Sequence, residues 1–397
     1  MKIRKLLLSL GVFLMTPAFC HAENNDISNV INNDINFSTR QYSLMLQQIG
    51  REGKVRIPKT IDKLGRVVYI PIDDWCSGFF PGSLCYLYQL TNDKSWLLQS
   101  RRFTEALDSI QYLTWHHDVG FMIGSSYLNI YRLSPNKAYK KAIIQTAKSL
   151  CTRFRKKAGV IQSWNVDRGW QSKRGWTCPV IIDNMMNLEL LFEATRLSGD
   201  STYWKVAVSH ANKTLENQFR KDGSCYHVVD YDPNNGAVLH RQTAQGYADN
   251  SAWARGQAWA VYGYTVCYRY THDRKYLDQA VKTLNFVMQN PNLPEDLIPY
   301  WDFDAPNIPN EPRDASSAAC IASALYEMNN YLPDNGYTSL ADRIIRSLSS
   351  PEYRAPLGKN GCFLLMHSVG SIPHNNEIDV PLNYADYYFL EALTRRK

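Results

Sequence analysis

The pentapeptide G-D-S-T-Y at residues 199–203 separates two segments, 183–197 and 201–219, in which apolar residues recur at helical spacing. Gly and Asp commonly end one helix and cap the next, and the Tyr that follows is placed to pack back against its own helix. A polar turn followed by an aromatic residue also occurs before Trp96, Tyr139, Tyr276 and Tyr337. This recurrence predicts a chain built from repeated helix–turn–helix units.

The same periodicity extends over most of the chain and predicts about twelve helices. They cover residues 38–49, 80–90, 95–110, 120–131, 136–153, 183–197, 201–219, 251–270, 274–289, 315–330, 337–348 and 383–394. Six stacked hairpins form either a closed all-α (α/α)6 barrel or an open solenoid, and periodicity does not distinguish the two. Because no linker divides the chain, we expect residues 23–397 to form a single domain.

Longer polar segments rich in Trp, His, Asp and Arg lie between the helix pairs. They cover residues 73–78, 114–118, 162–178, 226–250, 299–314 and 367–381. Loops on a rigid scaffold carry most functional sites, so we expect these segments to gather as a loop-rich rim at one end of the barrel. Segment 226–250 reads as a strand and turn inserted at that rim.

The composition of the 397-residue chain is that of a globular protein, with 45% hydrophobic and 12% aromatic residues. Aromatic richness suits a sugar-binding surface and a helix-packed core equally well. The formal net charge is +7. The sequence contains no Lys/Arg block, which argues against nucleic-acid binding. An anionic small substrate bound by one or two Arg is compatible with this charge.

The N-terminus has the pattern of a secretion signal. Lys2, Arg4 and Lys5 precede an apolar run at residues 6–15, and Ala22 offers a cleavage site. We therefore predict a signal peptide over residues 1–22 and a periplasmic or secreted protein. Lipid attachment at Cys20 is the alternative, although the residues before it form a poor lipobox. No later apolar run is long enough to span a membrane.

Eight cysteines follow the leader, without the C-x-x-C spacing of a metal site. Most lie in apolar stretches and read as small buried hydrophobic residues, and a disulfide remains open. The tripeptide H-H-D at residues 116–118 contains metal-ligand residue types. Adjacent histidines point in different directions, however, and no third ligand stands at helical spacing. These residues therefore predict no metal site.

Two aspartates stand at the starts of apolar helical segments. Asp183 lies within I-I-D-N-M-M-N-L at residues 181–188, where apolar neighbours would raise its pKa and keep it protonated as a general acid. Asp118 lies within H-H-D-V-G-F at residues 116–121. Each could instead cap its helix. A pair of carboxylates is nevertheless what glycoside-cleaving enzymes usually employ.

The segment S-A-W-A-R-G-Q-A-W at residues 251–259 places an arginine between two tryptophans. Arg255 is suited to bidentate capture of a carboxylate, and a buried Arg needs an anionic partner. The indoles of Trp253 and Trp259 could stack on a pyranose ring. Trp259 could equally belong to the core.

Together these motifs resemble the unsaturated glucuronyl hydrolases. The matching segments run in order from residue 75 to the C-terminus, and no single one of them is specific. They are W-C-S-G-F-F-P-G from Trp75, H-D-V-G-F from His117, I-D-N-M-M-N-L from Ile182, S-A-W-A-R-G-Q-A-W from Ser251, P-R-D-A-S-S-A-A from Pro312, H-S-V-G-S-I-P from His367 and D-V-P-L-N-Y-A-D-Y-Y from Asp379. The resemblance implies an (α/α)6 barrel, which agrees with the helix count.

The resemblance also implies residue roles. Asp183 matches the proton donor and water activator, and Asp118 matches the second essential carboxylate. Ser368 and Ser371 match contacts to the outer part of the substrate. The remaining expected substrate-binding residues are Trp75, His117, His227, Arg241, Thr243, Gln245, Trp253, Arg255 and Trp259.

The implied reaction removes the terminal 4,5-unsaturated uronic acid from glycosaminoglycan disaccharides that a lyase has generated. An acid protonates C4 of the vinyl ether, water adds at C5, and the resemblance implies that no metal or organic cofactor is required. The expected partner is an unsaturated uronyl oligosaccharide, and the expected state is a monomer or weak homodimer. Two alternatives remain: an unsaturated rhamnogalacturonyl hydrolase acting on pectin fragments, and a non-catalytic oligosaccharide-binding protein. Retention of both aspartates argues against the second.

Overall fold

The computed structural model describes residues 17–50 and 55–397, and this part of the chain is mainly helical. Its α-helices are α1 Pro17–Gly50, α2 Phe79–Thr91, α3 Lys94–Glu105, α4 Asn129–Leu133, α5 Lys137–Cys151, α6 Leu188–Ser198, α7 Ser201–Asn217, α8 Ala254–Thr271, α9 Arg274–Gln289, α10 Ala315–Tyr331, α11 Tyr337–Leu348 and α12 Asn383–Arg396. Two of them have N-terminal extensions. The π-helix Gly120–Leu128 runs into α4, and the 3₁₀-helix Ile182–Asn187 runs into α6.

The even-numbered helices form a closed inner ring. Each packs on the next around the ring, with α4 and α6 meeting through the π-helix, and α12 returns to pack on α2. The odd-numbered helices lie outside this ring, each against one or two inner helices. The contact between α12 and α2 distinguishes a barrel from an open solenoid, so the predicted all-α (α/α)6 barrel is confirmed.

Burial explains why the helices sort into two rings. Every residue of α8 from Ala254 to Cys267 is buried, and a helix that is covered on all sides belongs inside the ring. Helix α9 buries only one stripe, which includes Tyr276, Ala280 and Val287, and leaves its other face to solvent. The amphipathic pattern thus assigns α9 to the outer ring.

Most predicted helix boundaries agree with the structure to within two or three residues, and α1 is the main exception. This helix was expected from residue 38 but begins at Pro17. The added turns have a polar sequence, yet Ile27, Ile31 and Ile35 recur every fourth residue and are buried on the core. Asp34 beside them is buried with Arg354 as its ion-pair partner. Three isoleucines are too weak a signal for a sequence-based prediction.

Nine short strands lie in the connections of the described chain. Three two-stranded sheets pair β1 Ile57–Ile61 with β2 Val67–Ile70, β3 Phe154–Arg155 with β4 Val160–Ile161, and β8 Ser368–Ser371 with β9 Asn376–Val380. A three-stranded sheet has β6 Val228–Tyr231 between β5 Pro179–Ile181 and β7 Val238–Gln242. All pairs are antiparallel. The strand insertion predicted within residues 226–250 is β6 and β7. Strand β5 leads directly into the 3₁₀-helix that carries Asp183, so this sheet positions the candidate acid.

All eight cysteines from Cys76 to Cys362 are free, and seven are buried. This confirms their interpretation as small hydrophobic residues. The first 16 residues of the predicted signal peptide lie outside the described part of the chain, so the leader stays a prediction. Within the described residues, no helix is both long and apolar enough to cross a membrane.

Candidate active site

A cleft of about 260 Å³ opens at the end of the barrel where the inner helices begin. Residues from five of the six predicted rim segments, together with the starts of α6 and α8, form its wall. The lining residues are Trp75, Asp118, Trp164, Trp170, Gln171, Ile181, Asp183, Gln245, Arg255, Ser371, His374 and Asn376. The gathering of these loops at one end confirms the prediction and brings Asp118, Asp183 and Arg255 together.

Asp183 lies inside the 3₁₀-helix, and its side chain does not cap the helix, because Ile181 occupies the N-cap position. The residue is 7% exposed, and its Oδ2 atom has no hydrogen-bond partner among the described residues. Burial raises the pKa of Asp183 to about 7, against the opposing charge of Arg255 and the indole N–H of Trp259, while the Asp118 carboxylate adds to the rise. The geometry therefore favours a general acid over a helix cap.

Asp118 immediately precedes the N-cap of the π-helix, and its side chain is 15% exposed. Burial alone would raise the pKa of this carboxyl group. The imidazoles of His117 and His116 and the guanidinium of Arg153 outweigh burial and hold the pKa of Asp118 below its ordinary value. Asp118 is therefore ionised at neutral pH, whereas Asp183 in the same cleft keeps its proton below about pH 7. Such a separation of pKa values gives the two carboxyl groups different roles, because one can donate a proton while the other supplies a negative charge.

The tautomer of His117 follows from its neighbours. The Oδ1 atom of Asn187 accepts the backbone N–H of Gly120 at 2.8 Å, so the other amide atom of Asn187 is the nitrogen. That nitrogen donates to Asn184 Oδ1 at 2.7 Å and lies 3.2 Å from Nδ1 of His117. Nδ1 must then accept, which places the proton on Nε2, 3.3 Å from Asp118 Oδ1.

Burial lowers the pKa of His117 to about 4, so the ring is neutral and offers Asp118 an N–H dipole. The approach of the two helices requires glycine at position 120. A Cβ atom there would lie 2.2 Å from Asn187 Oδ1 and 2.5 Å from Asn187 Cα. The contact of Gly120 with Asn187 thus orients the Asn187 amide, which sets the tautomer of His117 and places its Nε2–H beside Asp118.

We expect His117→Leu to shift the acidic limb of the pH–rate profile upward by about one to two pH units, because Asp118 loses the electrostatic support of the imidazole 3.3 Å away. His117→Gln is the matched control, since its amide can accept from Asn187 and donate to Asp118. It should keep the limb close to the wild-type position. Steady-state rates between pH 3 and 7 measure both variants, and an unmoved limb in His117→Leu would contradict the assignment.

The tautomer of His227, beside Asp183, also follows from its hydrogen bonds. Its Nδ1 atom accepts the backbone N–H groups of Ala244 at 3.0 Å and Gln245 at 3.2 Å. The proton therefore sits on Nε2, which lies 3.7 Å from Asp183 Oδ2 and has no hydrogen-bond partner in the described structure. Burial lowers the pKa of His227 well below its ordinary value, so this donor is neutral. Thr243 braces the loop by accepting the Gly246 N–H at 2.8 Å.

Arg255 is 1% exposed at the base of the cleft. Its Nη1 atom lies 3.3 Å from Asp314 Oδ2 and donates to the Val369 carbonyl, while Nη2 donates to the Gly370 carbonyl at 2.6 Å. Its guanidinium also stacks 4.5 Å from the Trp253 ring. The anionic partner that a buried Arg requires is thus Asp314, which lies in a motif quoted above but was not predicted as a site residue. The Nε atom of Arg255 has no protein partner in the described residues.

Buried polar atoms without hydrogen-bond partners concentrate at this end of the barrel. Buried polar groups are normally satisfied, so each exception needs an explanation. Within the described chain they include Asp183 Oδ2, His117 Nε2, His227 Nε2, Arg255 Nε, Trp259 Nε1, Ser368 Oγ and Tyr384 Oη. The cluster fits a site built to bind a polar ligand.

Three tryptophans form an aromatic wall beside the carboxylates. The ring of Trp164 stacks on Trp176 at 5.6 Å and meets Trp170 at 5.0 Å, and Trp170 contacts His374 at 4.9 Å. His374 in turn lies 2.7 Å from Ser371 Oγ through its Nδ1 atom. The cleft residues that were not individually predicted are Trp164, Trp170, Gln171, Ile181, His374 and Asn376. Tryptophan at every sixth residue of a polar segment was the available signal.

Several predicted binding residues do not line the cleft. Arg241 is exposed on β7, donates to the Asn217 carbonyl at 3.0 Å and lies near the Tyr226 ring, so the structure does not bring it to the cleft wall. Its position in β7 directs it to the outer surface. The nearer guanidinium is that of Arg174, which donates to the Thr243 carbonyl at 2.6 Å. His117, His227, Thr243, Trp253, Trp259 and Ser368 lie outside the lining residues.

Trp75, Gln245 and Ser371 lie in the cleft wall. The Nε2 atom of Gln245 is 3.4 Å from the Gly370 carbonyl oxygen. Trp259 is fully buried and packs against Phe121, which agrees with the core alternative. The described residues contain no group of three or more His, Cys, Asp or Glu side chains that could hold a metal ion. At H-H-D, both imidazoles face the Asp118 carboxylate.

A closed double ring of helices with a two-carboxylate cleft where the inner helices begin defines a glycoside hydrolase of the (α/α)6-barrel class. The chain belongs to glycosyl hydrolase family 88, whose family description matches residues 58–392. It is therefore a glycosidase, and the binding-protein alternative is not supported.

Individual relatives agree with this assignment. An unsaturated glucuronyl hydrolase of Formosa agariphila is 46% identical over 347 residues, which cover 87% of this chain and 86% of that protein. An unsaturated chondroitin disaccharide hydrolase of Streptococcus agalactiae is 31% identical over 374 residues, covering 86% and 92%. The crystal structure of an unsaturated glucuronyl hydrolase specific for heparin superposes with a TM-score of 0.88 at 44% identity, covering 93% and 97%. The resemblance stated from the motifs is confirmed.

Proposed function

We propose that this glycosidase removes the terminal 4,5-unsaturated uronic acid from glycosaminoglycan disaccharides produced by lyases. One observation carries the proposal. The cleft holds a protonated Asp183, whose pKa burial raises to about 7, beside an ionised Asp118 and a buried guanidinium. In a substrate with an enol ether next to a carboxylate, such a site can protonate the double bond with the acid and bind the carboxylate with the guanidinium.

In the proposed reaction, Asp183 donates its proton to C4 of the C4=C5 double bond. Positive charge then develops at C5 and the ring oxygen, where the negative charge of Asp118 stabilises it. Water adds to C5 and returns a proton to the Asp183 carboxylate, so the acid is regenerated. The resulting hemiketal opens, the former anomeric carbon releases the partner sugar, and a keto-uronate remains.

The neighbouring groups have supporting roles in this proposal. Arg255 presents its unpartnered Nε–H toward the sugar's carboxylate, and Asp314 with two carbonyls holds the guanidinium still. The neutral His227 offers Nε2–H beside Asp183. The Trp164 and Trp170 rings form a wall suited to an adjacent pyranose. None of these residues consumes or supplies a proton during turnover.

The assay that tests the proposal follows the enol absorbance of unsaturated disaccharides derived from chondroitin, hyaluronan and heparin. Loss of absorbance with release of one equivalent of the partner sugar is expected. An unsaturated galacturonyl-rhamnose from pectin is the comparison substrate and should react more slowly. Absorbance that persists with every uronyl disaccharide would reject the function, and preference for the pectin fragment would favour the alternative.

The pH dependence of kcat/KM should follow the Asp183 proton. The acid is active only when protonated, and its pKa is about 7, so the rate should be sustained below pH 7 and fall about tenfold per pH unit above it. The test is to measure kcat/KM from initial rates at several pH values between 5 and 9. A rate that continues to rise above pH 8 would require a different acid.

A further inference from the structure

The positive charge of the chain is concentrated on one wall of the barrel. Residues 94–157 contain twelve Lys or Arg and three Asp or Glu, so this segment alone exceeds the net charge of +7 of the whole chain. In the sequence, Arg153, Arg155, Lys156 and Lys157 lie close together, and the other eight are spread over residues 94–148. The fold brings ten of the twelve onto the outer helices α3 and α5 and the β3–β4 hairpin, whereas Arg132 lies on the inner helix α4 and Arg153 is buried just after α5.

Helix α5 carries the centre of this wall. It contains no acidic residue, and Lys137, Lys141 and Lys148 fall within an arc of about 40°, forming a stripe about 16 Å long. Lys140 flanks the stripe, and all four lysines are exposed. Among the described residues, no carboxylate lies within ion-pair distance of any of the four side chains.

Neighbouring elements extend the stripe at both ends. Near its start, Arg101 of α3 donates to Ser134 at 3.3 Å, which joins α3 to the segment before α5. Beyond its end, the exposed Lys156 and Lys157 occupy the β3–β4 turn. We call these eight residues the basic face: Arg101, Arg102, Lys137, Lys140, Lys141, Lys148, Lys156 and Lys157. The nearby Glu105 accepts the Tyr139 hydroxyl rather than pairing with a cation.

The basic face leads toward the cleft. Outer helices run against inner ones, so the C-terminal end of α5 lies at the end of the barrel where the inner helices begin. Arg153, just after α5, donates to the Thr114 carbonyl at 2.8 Å and acts electrostatically on Asp118. The cationic stripe therefore ends beside the loop that carries one catalytic carboxylate.

We propose that the basic face binds a polyanionic glycan chain of the kind from which the enzyme's disaccharide substrates are cut. The partner's identity rests on the proposed function, because the cleft at the end of the stripe would then take a uronyl sugar. Unpaired exposed lysines on one face attract a polyanion over a distance of about 10 Å at moderate salt. Binding there would keep the enzyme on the polymer whose fragments it consumes.

The surface chemistry of α5 favours a glycan over two other polyanions. Membrane-surface helices place Trp, Phe or Leu beside their basic residues, and single-stranded nucleic acids stack on exposed aromatic rings. Helix α5 exposes no large hydrophobic or aromatic side chain. Its apolar residues, including Tyr139, Ile143 and Leu150, are buried against the barrel.

The test uses intact heparin chains that lack an unsaturated end, so binding is measured without turnover. The variant changes Lys137, Lys140, Lys141 and Lys148 together to Gln, which preserves helix propensity. The matched control changes Arg274, Lys275, Lys282 and Arg343 to Gln on the opposite wall, removing the same charge. We expect the α5 variant to lose on the order of tenfold or more in affinity and to show a shallower salt dependence, while the control binds as the wild type does.

Turnover of an unsaturated disaccharide should be the same in wild type, variant and control, because no substituted residue lines the cleft. Equal loss of heparin affinity in both variants, or none in either, would overturn the basic face as the binding site. Tighter binding of the wild type to duplex DNA or to anionic lipid vesicles would overturn the glycan as partner. Failure of disaccharide turnover with heparin binding retained would reject the proposed function alone.

Discussion

Asp183→Asn is expected to reduce kcat by on the order of 10³- to 10⁴-fold while making the folded protein more stable at alkaline pH. The catalytic loss follows because an amide cannot transfer the proton that C4 must receive. The gain in stability follows from the same burial that makes the acid useful. Asp183 Oδ2 has no hydrogen-bond partner in the described structure, so ionisation leaves an uncompensated buried charge.

The stability of the wild-type protein should fall as pH rises through the pKa of Asp183. Burial raises the pKa of Asp183 from 3.8 to about 7, so the folded protein binds this proton more tightly than the unfolded chain does. Wild-type stability therefore falls as pH rises from about 4 to 7, by up to about 4 kcal/mol. Asp183→Asn removes that penalty. The difference in the free energy of unfolding should be full above pH 7 and vanish below about pH 4.

Asp386→Asn is the matched control. Burial also raises the pKa of this carboxyl to about 7, but the residue does not line the cleft, and both oxygens are occupied. They accept the backbone N–H groups of Leu364 at 2.9 Å and Leu365 at 3.1 Å and the Tyr42 hydroxyl at 3.1 Å. The amide gives up acceptor capacity, which should cost about 1–3 kcal/mol at pH 5. At pH 8 the removal of a buried charge offsets that loss, and turnover should be kept at both pH values.

Urea unfolding and disaccharide turnover at pH 5 and pH 8 measure both variants. Both substitutions should become more favourable to stability between pH 5 and pH 8, but only Asp183→Asn should lose turnover. An active Asp183→Asn protein would remove the proposed acid. An inactive variant with reduced stability at both pH values would instead indicate a structural role for the carboxyl group.

Arg255→Met is expected to destabilise the protein by about 3–5 kcal/mol, because it leaves Asp314 buried without its cation. It should also lower kcat/KM at least about 100-fold through loss of the charge-assisted contact to the sugar's carboxylate. Arg255 opposes the rise in the Asp183 pKa. Its removal should therefore move the alkaline limb of the pH–rate profile upward.

The double variant Arg255→Met with Asp314→Asn separates stability from function. It removes both charges, and an Asn at position 314 can still accept from the Ser316 hydroxyl, which lies 2.6 Å from the native carboxylate. Most of the lost stability should return, whereas kcat/KM should stay low. Recovery of activity together with stability would show that Arg255 acts only on the fold, and equal instability of single and double variants would contradict the pairing.

The candidate site was predictable in its chemical groups and only partly in its geometry. Asp183 and Asp118 were identifiable from local motifs. Asp183 is a single charge among apolar residues, and Asp118 follows two histidines at the start of an apolar helix. Asn187 and Asp314 were not, although one sets the His117 tautomer and the other holds Arg255. Their roles depend on partners 70 and 59 residues away, and no local pattern records such a contact.

The position of Arg241 away from the cleft wall likewise has no local signal in the sequence. A strand with a bulge changes which side chains face each side, and the β6–β7 pairing shifts register between Asp230 and Tyr231. The segment could be recognised as a strand, but the direction of one side chain could not. Arg174, from an irregular segment, is closer to the cleft loop instead.

Local patterns in the chain are sufficient to establish that it forms alternating helices with a loop-rich rim, because amphipathic periodicity and capping are properties of neighbouring residues. The contact of α12 with α2, the raised pKa of Asp183 and the charged wall around α5 are of a different kind. Each arises from burial or from charges brought together through space, and those quantities exist only once distant segments have packed against one another.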